Sequence, residues 1–198
     1  GAVKFNGNIS TWDVSNVTDM SHMFSGAVKF NGDISTWDVS NVTDMSHMFH
    51  NAAAFNQNIN THQVTDTADP DMEYDTLSMT SVSRGEYTAW DVSKVTDMQN
   101  MFCSAQAFNQ DLPGWNVYQV TDTSVMFCYA IKFNGDISTW NVSKVTNMKY
   151  MFHRAYVFNQ DISAWNVSQV TDMTGMFYSA KKFNGDISTW KVSKVKVM

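Results

Sequence analysis

The side chains able to do chemistry recur in register. Asp19, Asp44, Asp97, Asp122 and Asp172 form one series, interrupted by Asn147, and Asp33, Asp136, Asp161 and Asp186 form another; the unbroken runs step by 25 residues. Like charges stacked one above another repel unless each is satisfied locally or shares a cation. An Asp behind a Thr at the start of a helical turn accepts backbone N–H groups, so local capping is the expected role of the Asp19 series. Calcium held between carboxylates and backbone carbonyls is the alternative, although the spacing matches no calcium-binding loop. No other cofactor is expected.

Cys103 and Cys128 share one register, and His153 takes the same position 25 residues on. Three readings stay open: two packed thiols, a disulfide between neighbouring units, and a metal site completed by His153. A disulfide needs Cα atoms about 4.4–6.8 Å apart, which stacked units could supply. Two thiols and an imidazole in a straight column make poor tetrahedral geometry, so no metal is expected there. His22 and His47 share their register with Asn100, Val125, Tyr150 and Gly175, too mixed a set for proton transfer. The chain has no HExxH, no phosphate-binding glycine loop and no serine elbow with partners. It is read as a non-enzyme, with the irregular third unit as the one place where a unique cluster could form.

The elements that position these residues follow from the same period. All seven Trp occupy one register, Trp12, Trp37, Trp90, Trp115, Trp140, Trp165 and Trp190, and the 13 Phe fill two more. Ile9, Ile34, Ile59, Ile137, Ile162 and Ile187 form another, with Tyr87 and Leu112 read as substitutes, while Ala27, Ala52, Ala105, Ala130, Ala155 and Ala180 mark a place for small side chains. A unit of this length cannot bury its own apolar face and must cover it with its neighbours. The D-I-S-T-W stretch behind an N-G turn reads as a short strand, and T-D-M-S-x-M-F as one or two helical turns. The expected fold is a β-rich (α/β) solenoid of about eight 25-residue coils with short parallel strands and one-turn helices. At a rise of roughly 4.8 Å per coil, the rod would be on the order of 40 Å long.

The chain reads as a single repeat solenoid over 1–198, incomplete at both ends, with 64–86 an aberrant repeat carrying an inserted loop. Asp66, Asp69, Asp71, Glu73 and Asp75 around Pro70 mark that loop. Composition is globular, 43% hydrophobic and 16% charged, with no run long enough to span a membrane as a helix. A net charge of -6 without a basic stripe argues against nucleic acid.

The segment Phe30–Phe49, FNGDISTWDVSNVTDMSHMF, resembles the surface-protein repeat of mycoplasma lipoproteins, which is related to BspA-type leucine-rich repeats. The resemblance covers nearly all of the chain except 64–86 and departs from the pattern at His62, Tyr87, Pro113, Gly114 and Thr123. It implies a right-handed leucine-rich-repeat-like solenoid, an extracellular or cell-surface setting, and adhesion or interaction as the role.

Three functional readings follow. The first is a surface scaffold binding protein or glycan through repeated polar ladders, with Asp33, Ser35, Asp136, Ser138, Asp161, Ser163, Asp186 and Ser188 as the exposed strand face. The second is a purely structural module that assembles with neighbouring copies or within a larger assembly. The third is an ice- or polysaccharide-binding lattice built on two threonine series, Thr11, Thr36, Thr61, Thr139 and Thr189, and Thr18, Thr43, Thr96, Thr121, Thr146 and Thr171. A unique pocket near residues 62 to 87 would favour ligand binding over the structural module.

Overall fold

The computed structural model describes residues 2–65 and 86–198. Consecutive coils are joined by single parallel bridges, Asp19 to Asp44, Asp44 to Asp97, Asp97 to Asp122, Asp122 to Asn147, Asn147 to Asp172 and Asp172 to Val197. Each apolar register becomes a column along the axis. Phe30 stacks on Phe55 at 5.9 Å and Phe55 on Phe108 at 5.9 Å, while Trp115, Trp140 and Trp165 stack at 6.1 and 6.3 Å. These columns merge into one continuous buried core.

The T-D-M-S-x-M-F segments do not form the helical turns expected, because their backbone amides divide between two directions, and D-I-S-T-W forms a turn instead of the expected strand, with Trp37 N–H donating to Ile34 O at 3.1 Å. Met20, His22, Phe24 and Gly26 donate along the axis to the carbonyls of Asp44, Ser46, Met48 and His50, at 2.7–3.0 Å. The residues between them close three-residue turns, Met23 to Met20 and Ser25 to His22, at 3.2 and 3.0 Å. A helix would need every amide to bond within its own coil. This alternation places two residues of most such segments at positive φ, as with His22 (59°) and Gly26 (71°) or His47 (56°) and Asn51 (58°). Non-glycine residues there carry strain of roughly 1–2 kcal/mol each, offset by the bonds between coils.

The irregular third unit is an insertion rather than an aberrant repeat, and the stack numbers seven Trp-bearing coils, not eight. Trp90 donates its backbone N–H to Trp37 at 3.1 Å, and Met45 and Phe49 donate to Asp97 and Met101 with the same pattern that joins the first two coils. Trp90 therefore completes the coil that begins with Phe55 and Ile59. The chain leaves that coil through strand β1 (His62–Thr65) and returns through β2 (Glu86–Ala89), paired antiparallel with His62 opposite Ala89 and Val64 opposite Tyr87. Tyr87 is thus no substitute for the Ile column. It lies in the hairpin base, and its hydroxyl donates to the carbonyl of Thr36. The acidic residues Asp66 to Asp75 and Pro70 lie outside the described residues.

Candidate functional site

Most recurrent polar groups are engaged in holding coils together. Six indole N–H groups donate to the carbonyl of the preceding coil's Ile or Leu, from Trp37 to Ile9 at 3.2 Å through Trp190 to Ile162 at 3.2 Å. The Asn after each Phe builds a second ladder: Asn31 N–H donates to Asn6 Oδ1, Asn56 to Asn31, Asn109 to Asn56, and so to Asn184, at 2.7–2.8 Å. Sequence reasoning missed this ladder, although an Asn following every Phe of that register was its visible sign. The Thr18 series donates both N–H and hydroxyl to the carbonyl of the Thr one coil back, as Thr43 does to Thr18 at 2.8 and 3.2 Å. Each of those hydroxyls thus has its proton engaged between coils.

The Asp residues are satisfied locally, but through Asx turns instead of helix caps. Asp33 Oδ1 accepts the N–H of Ser35 at 2.9 Å, and Asp136, Asp161 and Asp186 accept those of Ser138, Ser163 and Ser188 at the same distance. The Ser backbone N–H, followed by its hydroxyl, holds Asp33, Asp136 and Asp186 below the usual carboxylate range; for Asp161 the Ser163 hydroxyl leads. The Asp19 series behaves alike, with Asp19 accepting Ser21 N–H at 2.7 Å and Asp172 accepting Thr174 N–H at 2.8 Å. Among the described residues no three His, Cys, Asp or Glu side chains cluster closely enough to hold a metal ion. That includes Cys103, Cys128 and His153. The two cysteines are free and buried in adjoining coils, where Ser104 N–H reaches Cys128 O at 2.7 Å. A hydrogen bond to Cys103 keeps the Cys128 thiol protonated far above its ordinary range and lowers that of Cys103.

The eight candidate binding residues do not act alike. Asp136, Ser138, Asp161, Ser163, Asp186 and Ser188 lie along the regular coils, half-buried to exposed. Asp33 and Ser35 instead enter a polar recess of about 340 Å³ with Gln57, Asn58, Asn60, Thr61 and His62, where the hairpin departs. Several of its groups are pinned: Asn60 Oδ1 accepts Gly114 N–H at 2.9 Å, Thr61 Oγ donates to Trp90 O at 2.8 Å, and Gln57 Nε2 donates to Asn31 O at 2.8 Å. A His62 ring nitrogen sits 2.9 Å from the Asn60 carbonyl. These bonds orient the amides, the imidazole and the carboxylate around one concavity, an arrangement suited to a small hydroxyl-rich group.

Fold and site together define a repeat protein of stacked coils from which a hairpin departs, with a polar recess at its base. The chain belongs to the family described as "Mycoplasma protein of unknown function, DUF285", which matches residues 1–82, 76–136 and 112–198. No curated protein and no solved structure matches it.

Proposed function

We propose that this chain is a non-enzymatic, surface-exposed or extracellular scaffold that binds a protein or glycan, and that its recognition site is the recess lined by Asp33, Gln57, Asn60 and His62. The observation that carries this reading is the contrast between ladders whose donors and acceptors are engaged between coils and one concavity where polar groups converge. The mycoplasma family supports the surface setting; the right-handed winding and the kinship with BspA-type leucine-rich repeats rest on the sequence motif alone. No helix among the described residues is long and apolar enough to cross a membrane.

The test is a glycan array probed with the whole chain and with Asp33→Asn and His62→Ala. Asn at 33 can keep the Asx turn while removing the charge, so a loss of signal reports recognition rather than folding. Signal on defined saccharides that both variants lose supports the recess, and equal signal from all three chains rejects it. A purely structural module is the second reading. It is favoured by the Trp, Asn and Thr ladders, which need no ligand, and it predicts an array empty for all three chains.

A further inference from the structure

Within this stack the strongest variation from coil to coil gathers in the turn segments. Their side chains run His22, Ser25 and Gly26 in the first coil, through Cys103 and Ser104, to Tyr150, His153 and Arg154. Over the later coils this ridge becomes aromatic and cationic. Tyr129 and Tyr150 lie against His153 with ring centroids at 5.5 and 5.2 Å, and Tyr178 stacks on its other side at 5.1 Å. Arg154 lies over Tyr129 at 5.0 Å and Lys149 over Tyr150 at 5.4 Å. Gly175 makes room for this, since a Cβ there would collide with the Tyr150 ring.

Two further observations set the ridge apart. The side-chain polar atoms that are buried without a partner among the described residues are Ser124 Oγ and His153 Nδ1, and both belong to it. Charge is also segregated: residues 129–198 hold nine of the 13 Lys and Arg but four of the 19 Asp and Glu. The acidic chain is therefore basic over its last coils, to which the aromatic ridge belongs.

We propose that this ridge, formed by Tyr129, Lys149, Tyr150, His153 and Arg154, binds an acidic polysaccharide. Arg154 and Lys149 meet its carboxylate or sulfate groups, and the hydroxyls and ring edges of the tyrosines meet its hydroxyl groups. Arg forms paired charge-assisted bonds with such planar or tetrahedral anions. Tyrosine offers an apolar ring and a hydroxyl together, which suits a ring bearing both C–H and O–H groups. Single-stranded nucleic acid fits less well, because it needs successive open ring faces, whereas here cations and neighbouring rings cover them. The inference rests on the reading of the chain as a binding scaffold but names a separate site and ligand class.

The whole chain is titrated calorimetrically with polygalacturonate, which carries carboxylates, and dextran sulfate, which carries sulfates, against neutral dextran and oligo-thymidylate. Binding to at least one acidic polymer and none to neutral dextran is expected. Arg154→Glu weakens it about tenfold, as loss of a charge-assisted bond does. Tyr129→Ala, whose ring carries that guanidinium, weakens it about threefold. Thermal unfolding of each variant confirms that the coils remain stacked. Failure of both acidic polymers to bind, unchanged affinity in folded Arg154→Glu, or equal affinity for oligo-thymidylate or neutral dextran overturns the proposal. The two sites fail separately: an array empty for the wild-type chain rejects the recess, and a flat titration with these polymers rejects the ridge.

Discussion

The indole N–H of Trp90 donates to the main-chain carbonyl of Ile34 at 2.8 Å across 56 residues, whereas Trp140 makes the same bond to Leu112 at 2.9 Å across 28. The doubled separation measures the insertion in the third coil. Joining Thr61 directly to Trp90 restores the 25-residue step from Trp37. Such a chain is expected to fold and melt cooperatively, within a few degrees of the parent. Failure to fold would mean that the stack cannot do without Ala89, which lies in the core, or Val64 and Tyr87, which pack against it.

The Trp ladder is energetic as well as geometric. Trp115 is buried and its indole N–H meets Ile59 O at 2.7 Å. Trp115→Phe keeps most of the ring but leaves that carbonyl unpaired, which costs about 1–3 kcal/mol. Urea unfolding reads this as a lowered midpoint with an unchanged slope; an unchanged midpoint would mean that the carbonyl finds another donor.

Coil spacing sets the limits on glycine. A Cβ at Gly135 would collide with the backbone carbonyl of Gln110 in the preceding coil, whereas one at Gly7 would meet only the edge of the Phe5 ring at 3.2 Å. Gly135→Ala is therefore expected to lower stability by about 1–3 kcal/mol, as overpacking does. Gly7→Ala should move the melting temperature little. Similar effects from the two would contradict this packing.

Val125 sits at φ 61°, where a β-branched residue is most strained. Val125→Asn keeps a side chain but tolerates that conformation, and it should raise stability by about 1 kcal/mol in urea titration. A lower stability would show that Val125 packing outweighs the strain.

Acid should loosen the stack in two stages. Burial lowers the pKa of His47, His50 and His153 from the ordinary 6.5, with neighbouring His or Arg charges adding to it. The unfolded chain then binds more protons than the folded one below that value, so stability is full above it and falls as pH drops through the lowered folded values. Asp19, Asp33, Asp136, Asp161, Asp172 and Asp186 titrate below 3.8 in the folded chain and remove more stability below that pH. Asp97, raised by burial, opposes them weakly. Melting temperatures recorded from about pH 8 to 3 should hold steady and then fall below the ordinary imidazole range. A rise on mild acidification would reverse the sign assigned to the histidines.

The period, the core columns and the local satisfaction of the acids were legible in the sequence because each repeats in register with Trp or Phe. The split of amides between axis and turn was not, since Met and Phe at three- and four-residue offsets describe a helix and this turn equally well. The inserted loop was legible, from the acidic residues around Pro70, but not the place where the coil resumes. A 53-residue step can be divided as two imperfect repeats or as one repeat plus a hairpin, and the partner of Trp90 decides between them. Asp33 and Ser35 read as part of a uniform face, but the recess also depends on Asn58, Asn60 and His62, which share the registers of Asp33, Ser35 and Trp37 and differ from them in type.

The proposed recognition site lies in the recess where the hairpin departs, not along the repeated Asp/Ser face. Residue-by-residue NMR shift mapping, with the whole chain and a saccharide selected on the array, tests that assignment most directly. Shifts confined to residues 33–35 and 57–62 are the expected result. Shifts spread evenly over Asp136, Ser138, Asp161, Ser163, Asp186 and Ser188, with the recess unmoved, would contradict it.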